Sequence, residues 1–129
     1  MRTKLNKQYD FVFNTRYGKN AGSDDDTLLT YVGNKIFTFI CNVLFKLNIS
    51  DVLFTYVMGS TKSFRSLKVK SKDFAFCVEL PIKAKFKNYR ITTLPSYERS
   101  RIAGKKKVRE FKDGFLILIS ILRLFIFKK

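Results

Sequence analysis

The chain has 129 residues, enough for one domain, and carries 26 Lys+Arg against 10 Asp+Glu for a formal charge of +16. Its 46% hydrophobic content excludes a disordered basic tail. The two cysteines, Cys41 and Cys77, lie inside apolar runs; they exclude a disulfide scaffold and read as buried thiols of a reducing compartment. With no histidine, His-based triads and His metal sites are excluded, and two cysteines are too few for a Cys-based zinc site. The charge asks for a phosphate-bearing partner: nucleic acid, an anionic membrane surface, or a nucleotide or lipid phosphate.

Residues 1–9 form a basic N-terminal segment, polar enough to stay unstructured and without the apolar stretch of a signal peptide. Residues 10–13 read as a short buried strand, followed by a loop through Arg16 to Ser23. Ser23 or Asp24 is expected to cap a long helix over residues 25–46. The run Asp24-Asp25-Asp26 sits where the helix dipole favours negative charge. Apolar residues recur there at three- and four-residue spacing over more than half the circumference, so the helix is expected to be buried on more than one side.

Val52 to Met58 is β-branched and aromatic and reads as a strand, with Ser60 capping a short helix to Leu67. A helix is expected over residues 78–87, its start set late because Pro81 suits only the first turn. Residues 90–94 read as a strand, residues 97–107 as a charged loop around Gly104, and residues 108–127 as a helix. The alternation indicates an α/β fold with a small mixed sheet. So little sheet cannot cover the long helix on both sides, which implies part of a larger domain.

The last helix carries thirteen residues, Phe115 to Phe127, with Arg123 as their only charge. They span ~20 Å against ~30 Å of hydrocarbon, too short to cross. With basic flanks, such a helix can lie in a membrane interface.

Several segments, in order, resemble family 2 glycosyltransferases. Asp10-Phe11-Val12-Phe13-Asn14-Thr15-Arg16-Tyr17 resembles D-x-V-x-G-S-R-Y. Gly33-Asn34 falls in the long helix as the family's G-N does. Asp51-Val52-Leu53 with Tyr56 resembles D-x-x-x-G-[FY], and Phe76-Cys77-Val78-Glu79-Leu80 resembles F-x-x-E-L. Tyr97 to Lys107 resembles Y-x-x-R-x-x-G-x-S-K, followed by Phe111-Lys112-Asp113-Gly114 as F-x-D-G. Over residues 9–125 the chain thus resembles the C-terminal half of the polyprenyl-phosphate (dolichol-phosphate) sugar transferases. Asn14-Thr15 replace Gly-Ser, Thr55 replaces Gly, and Lys106 replaces the Ser before Lys107.

The resemblance implies an incomplete GT-A-like domain over residues 10–107, with 108–129 as an apolar helix at the membrane interface. It implies hexosyl transfer from a nucleotide sugar to a polyprenyl phosphate by a protein peripheral to the cytoplasmic membrane surface. The complete enzyme would use a divalent metal, Mg²⁺ or Mn²⁺. The donor- and metal-binding half has no counterpart in this sequence, so no transfer is expected from the chain alone and no metal ligand is assigned in it. Arg16, Arg101 and Lys107 are the implied phosphate or acceptor contacts, since guanidinium forks grip phosphate oxygens. Asp51 and Glu79 are expected to be structural or orienting carboxylates, because an anionic acceptor needs no base; no catalytic residue is assigned. Asp24–Asp26 contain an Asp-x-Asp, but their place before a helix is explained by capping. The alternative is a non-enzymatic basic module on nucleic acid or anionic membrane, with Phe86, Tyr89 and Tyr97 available to stack on bases.

Overall fold

The structure, a computed structural model, describes residues 1–128. Lys129, the last residue of the expected 108–129 segment, lies outside them. The elements run α1 (Arg2–Lys7), β1 (Phe11–Thr15), β2 (Gly22–Ser23), α2 (Leu28–Phe45), β3 (Val57–Gly59), α3 (Thr61–Leu67), α4 (Phe76–Phe86), β4 (Ile91–Pro95), β5 (Tyr97–Glu98) and α5 (Glu110–Phe127). The fold is mixed α/β. β1 is the centre of a three-stranded sheet, antiparallel to β3 and parallel to β4. β2 and β5, two residues each, form a separate parallel ribbon too short to read from the sequence.

The N-terminal segment is not an open tail. It folds as α1 and packs against β1 and β3.

The buried helix is α4 rather than α2. Cys77 through Ile82 and Ala84 are all buried, so α4 is covered on every side. Val78 and Ile82 pack with Cys41 and Phe45 of α2 and with Ile117 and Ile121 of α5. Leu80 and Ala84 pack on the opposite side with Phe11, Phe13 and Leu67. α4 is therefore the middle layer between the sheet and the α2–α5 pair. Each such aliphatic side chain, fully buried, contributes about 1.5–3 kcal/mol. Pro81 sits inside the helix rather than in its first turn, and α4 starts at Phe76 with tight three-residue hydrogen bonds from Phe76, Cys77 and Val78.

α2 buries only one stripe: Asn34, Thr38, Cys41 and Phe45. Its outer side, including Leu28, Phe39 and Val43, is exposed. The expectation of burial on two sides fails because nothing among the described residues lies beyond that face. The cap also differs. Thr27, not Ser23 or Asp24, caps α2, accepting from the Thr30 amide while the Thr30 side chain accepts from Thr27.

The strand expected at 52–58 shortens to β3 for a hydrogen-bonding reason. The amide of Val52 donates to Thr38 Oγ1 (3.1 Å) and that of Leu53 to Asn34 Oδ1 (3.2 Å). Asn42 of α2 bonds both the amide and the carbonyl of Ile49. Polar side chains on the inner stripe of α2 thus take the backbone groups that a neighbouring strand would otherwise take.

Gly59 ends β3 opposite Phe11. A Cβ there would stand 2.6 Å from the buried Phe11 ring and 3.2 Å from the Asp10 carbonyl. Gly59→Ala is therefore expected to cost about 1–3 kcal/mol, as overpacking does, measured by urea denaturation. A loss near zero would mean that the Phe11 ring can move aside.

Candidate functional site

Parallel β1 and β4 place their C-terminal ends, Thr15 and Pro95, at one edge of the sheet. In open α/β sheets, that edge is where ligands sit. The loops that follow, 16–27 and 96–109, are tied together by the β2–β5 ribbon. Between them and the first turns of α2 and α5 lies a cleft of about 460 Å³.

Arg16, the residue after β1, reaches this cleft. Its Nε donates to Asp51 Oδ2 (2.9 Å), its NH2 to Asp51 Oδ1 (3.0 Å), and its backbone amide also donates to Oδ2 (3.0 Å). A third guanidinium nitrogen reaches Glu98 Oε2 at 3.3 Å. The guanidinium also lies 4.8 Å over the Phe54 ring. Asp51 is 2% exposed and accepts from Asn34 Nδ2 as well. Burial alone would lower the arginine's pKa, but the hydrogen bond and the charge of Asp51 raise it above the ordinary value. Asp51 therefore orients Arg16, and Asn34 fixes Asp51. Asn34 also donates to the Tyr17 hydroxyl (2.9 Å). Burial, then the nearby Asp51 charge, pushes that phenol up to about 12.

Arg101 lines the same cleft from the opposite loop. Its Nε donates to Asp25 Oδ2 (2.9 Å) and its NH1 to the Lys105 carbonyl (3.0 Å). That second bond closes the loop around Gly104, whose φ of +88° suits glycine. Lys107 does not line the cleft; Lys106 does. Hence Arg16 and Arg101 come together, Lys107 stays outside, and its neighbour Lys106, which stands where the motif has serine, lines the cleft instead.

Glu79 is elsewhere. It accepts from the amides of Lys70 (2.9 Å) and Ser71 (2.8 Å) and from Lys83 Nζ (2.7 Å), and so pins the α3–α4 loop rather than the basic loop. Burial would raise its pKa, but Lys83 and the Ser71 and Lys70 amides hold it down to about 2, against an ordinary 4.5. A depressed carboxylate stabilises the fold fully above pH ~4.5, and that contribution is lost as the pH falls toward ~2. Glu79→Gln is expected to flatten acid destabilisation in that window by roughly 1–2 kcal/mol, allowing for solvent screening. An unchanged acid profile would show that Glu79 is not the group that titrates.

The three aspartates before α2 do not cap it. Asp24 accepts from the Tyr97 hydroxyl, Asp25 from Arg101, and Asp26 from the Tyr17 and Thr30 hydroxyls. Each is committed to a different partner, so they do not fit a divalent cation. No group of three possible metal ligands occurs among the described residues. Asp113, in the first turn of α5, accepts from the backbone amide of the cap residue Arg109 at 2.7 Å.

Of the aromatics that could stack on bases, Tyr89 packs edge-on against Phe11 and bonds Ser66, and Phe86 packs edge-on against Phe45. Phe86 and Tyr97 are exposed.

The walls of the cleft are apolar, with Leu29 and Phe37 from α2, Phe54 from the Asp51 loop, and Phe111 and Ile117 from α5. Its mouth is mixed in charge. Arg16, Arg101 and Lys106 face Asp25, Asp26, Glu98, Glu110 and Asp113, which are half of the chain's acidic residues. The cleft thus joins an apolar wall to a mouth whose two arginines are already paired with carboxylates. Set against known protein families, curated proteins and solved structures, the chain gives no match.

Proposed function

We propose that the chain is the acceptor-facing part of a GT-A-like sugar transferase and that its cleft holds a polyprenyl phosphate. One observation carries this reading. Arg16 and Arg101, 85 positions apart in sequence, converge with Lys106 on a single apolar-walled cleft at the C-terminal edge of parallel strands. A lipid phosphate needs both features: an apolar wall for the first isoprene units and fixed cations for the head.

The arginines are held before any ligand arrives. Arg16 is anchored by Asp51 and Arg101 by Asp25, so their orientation costs little at binding. In transfer, the acceptor oxygen attacks the sugar carbon while the donor diphosphate leaves. The two anions repel, and Arg16, Arg101 and Lys106 are the groups that would offset that repulsion. No residue of this chain need take a proton, since the acceptor is already ionised. The donor and its Mg²⁺ or Mn²⁺ would be held by groups other than Asp24–Asp26.

The nucleic-acid reading has less support, because the Phe86 and Tyr89 rings are engaged edge-on with Phe45 and Phe11. The deciding experiment titrates the pure chain with a short-chain polyprenyl phosphate, the matching polyprenol, and single-stranded RNA. Saturable binding of the phosphate, weaker binding of the alcohol, and only salt-sensitive binding of RNA are expected. Tight RNA binding with no preference for the lipid phosphate would overturn the reading.

A further inference from the structure

The chain leaves a broad apolar surface uncovered. α2 and α5 pack against each other and both lie on α4. Their outer sides carry Val32, Phe39 and Val43 of α2 with Phe115, Leu122 and Ile126 of α5, all exposed. Exposed apolar patches of this breadth mark interaction surfaces rather than ordinary solvent-facing helix.

We propose that this two-helix face seats in the interface of an anionic lipid bilayer. Charge complementarity selects that occupant. α2 contains no acidic residue, and its C-terminal end carries Lys46. The exposed charges of α5 past its first turn are Arg123 and, at its cap, Lys128. Of its two acids, Asp113 is buried and accepts from the Arg109 amide, leaving Glu110 exposed at the N-terminal end. Apolar rows with basic C-terminal ends fit the boundary between acyl chains and phosphate heads.

The helices lie along the bilayer rather than across it. Eighteen residues of α2 span ~27 Å, close to the hydrocarbon thickness. Crossing would strip Asn34, Thr38 and Asn42 from the backbone groups of residues 49–53 that they satisfy.

The face runs into the cleft. Leu29 and Phe111 are exposed and also line it, so a lipid in the bilayer would reach the cleft sideways without leaving the apolar phase. This last route rests on the phosphate-acceptor reading above; the bilayer face does not.

The test uses the full chain and sedimentation with vesicles of phosphatidylcholine, with and without phosphatidylserine, and with no polyprenyl phosphate present. Binding to the serine-lipid vesicles and little to the neutral ones is expected. Phe39→Lys/Val43→Lys should weaken binding at least about tenfold although it adds two positive charges, because it removes inserted apolar side chains. Leu122→Lys/Ile126→Lys is the parallel pair on α5, so one misfolded variant leaves the other as the test. Unchanged or stronger binding by both folded pairs would overturn the proposal, since charge alone would then drive association. No binding by the wild-type chain overturns it too. So would a concentration-dependent dimer that both pairs dissolve, which would assign the face to a second copy.

Discussion

Asp51→Ala is expected to cost about 3–5 kcal/mol of folding stability. Asp51 is fully enclosed, and Arg16 is nearly so. Removing the carboxylate strands a buried guanidinium, leaves the Arg16 amide without its acceptor and leaves Asn34 Nδ2 with the Tyr17 hydroxyl alone. Small domains are stable by only about 5–15 kcal/mol, so the variant should be marginal. Urea denaturation measures it. Arg16→Met in the Asp51→Ala background should recover part of the loss, because it removes the stranded charge. A single-variant loss below about 1 kcal/mol would place the pair with ordinary surface salt bridges.

The second large effect concerns the ligand. Arg101→Ala should weaken polyprenyl-phosphate binding roughly 10- to 100-fold, the loss of a hydrogen bond to a charged group at about 1.5–3 kcal/mol. Its side chain is 41% exposed and its pair with Asp25 lies near the surface, so the fold should survive. Lys105→Ala should cost less than about 1 kcal/mol, since only its carbonyl takes part, by holding Arg101. Lys106→Ala should fall between the two. Equal and small losses across all three would leave the basic loop as a solvated surface and remove the cleft's main support as a phosphate site.

The sequence made the elements legible where periodicity was long. α2 and α5 were placed to within a few residues, and the mixed sheet followed from β1, β3 and β4. It misled about burial, because helical spacing reports which residues are apolar and not what covers them. α2 and α4 exchanged roles for that reason. The eleven residues of α4 are apolar nearly all round and so carry little periodic signal, yet they form the middle layer. Val52 and Leu53 looked like strand residues. Nothing local could show that Asn34 and Thr38 would take their amides from 14 and 19 positions away. In the cleft, Arg16 and Arg101 were visible from motif spacing. Lys106, Glu98 and the Asp25 partnership were not, because they depend on how the β2–β5 ribbon joins two loops.

The inner stripe of α2 has a consequence for how this helix can change. The residues that fix its place are Asn34, Thr38 and Asn42, through directional bonds to residues 49–53 and Asp51. Its outer residues contribute surface and almost no positional information. The usual rule of tolerance is thereby inverted along one element. An apolar replacement at Asn34, Thr38 or Asn42 would unseat the helix, whereas its outer side is free to be rewritten, even to charge, with the fold intact. The outer chemistry of α2 can drift to match whatever it touches while the architecture behind it stays constant.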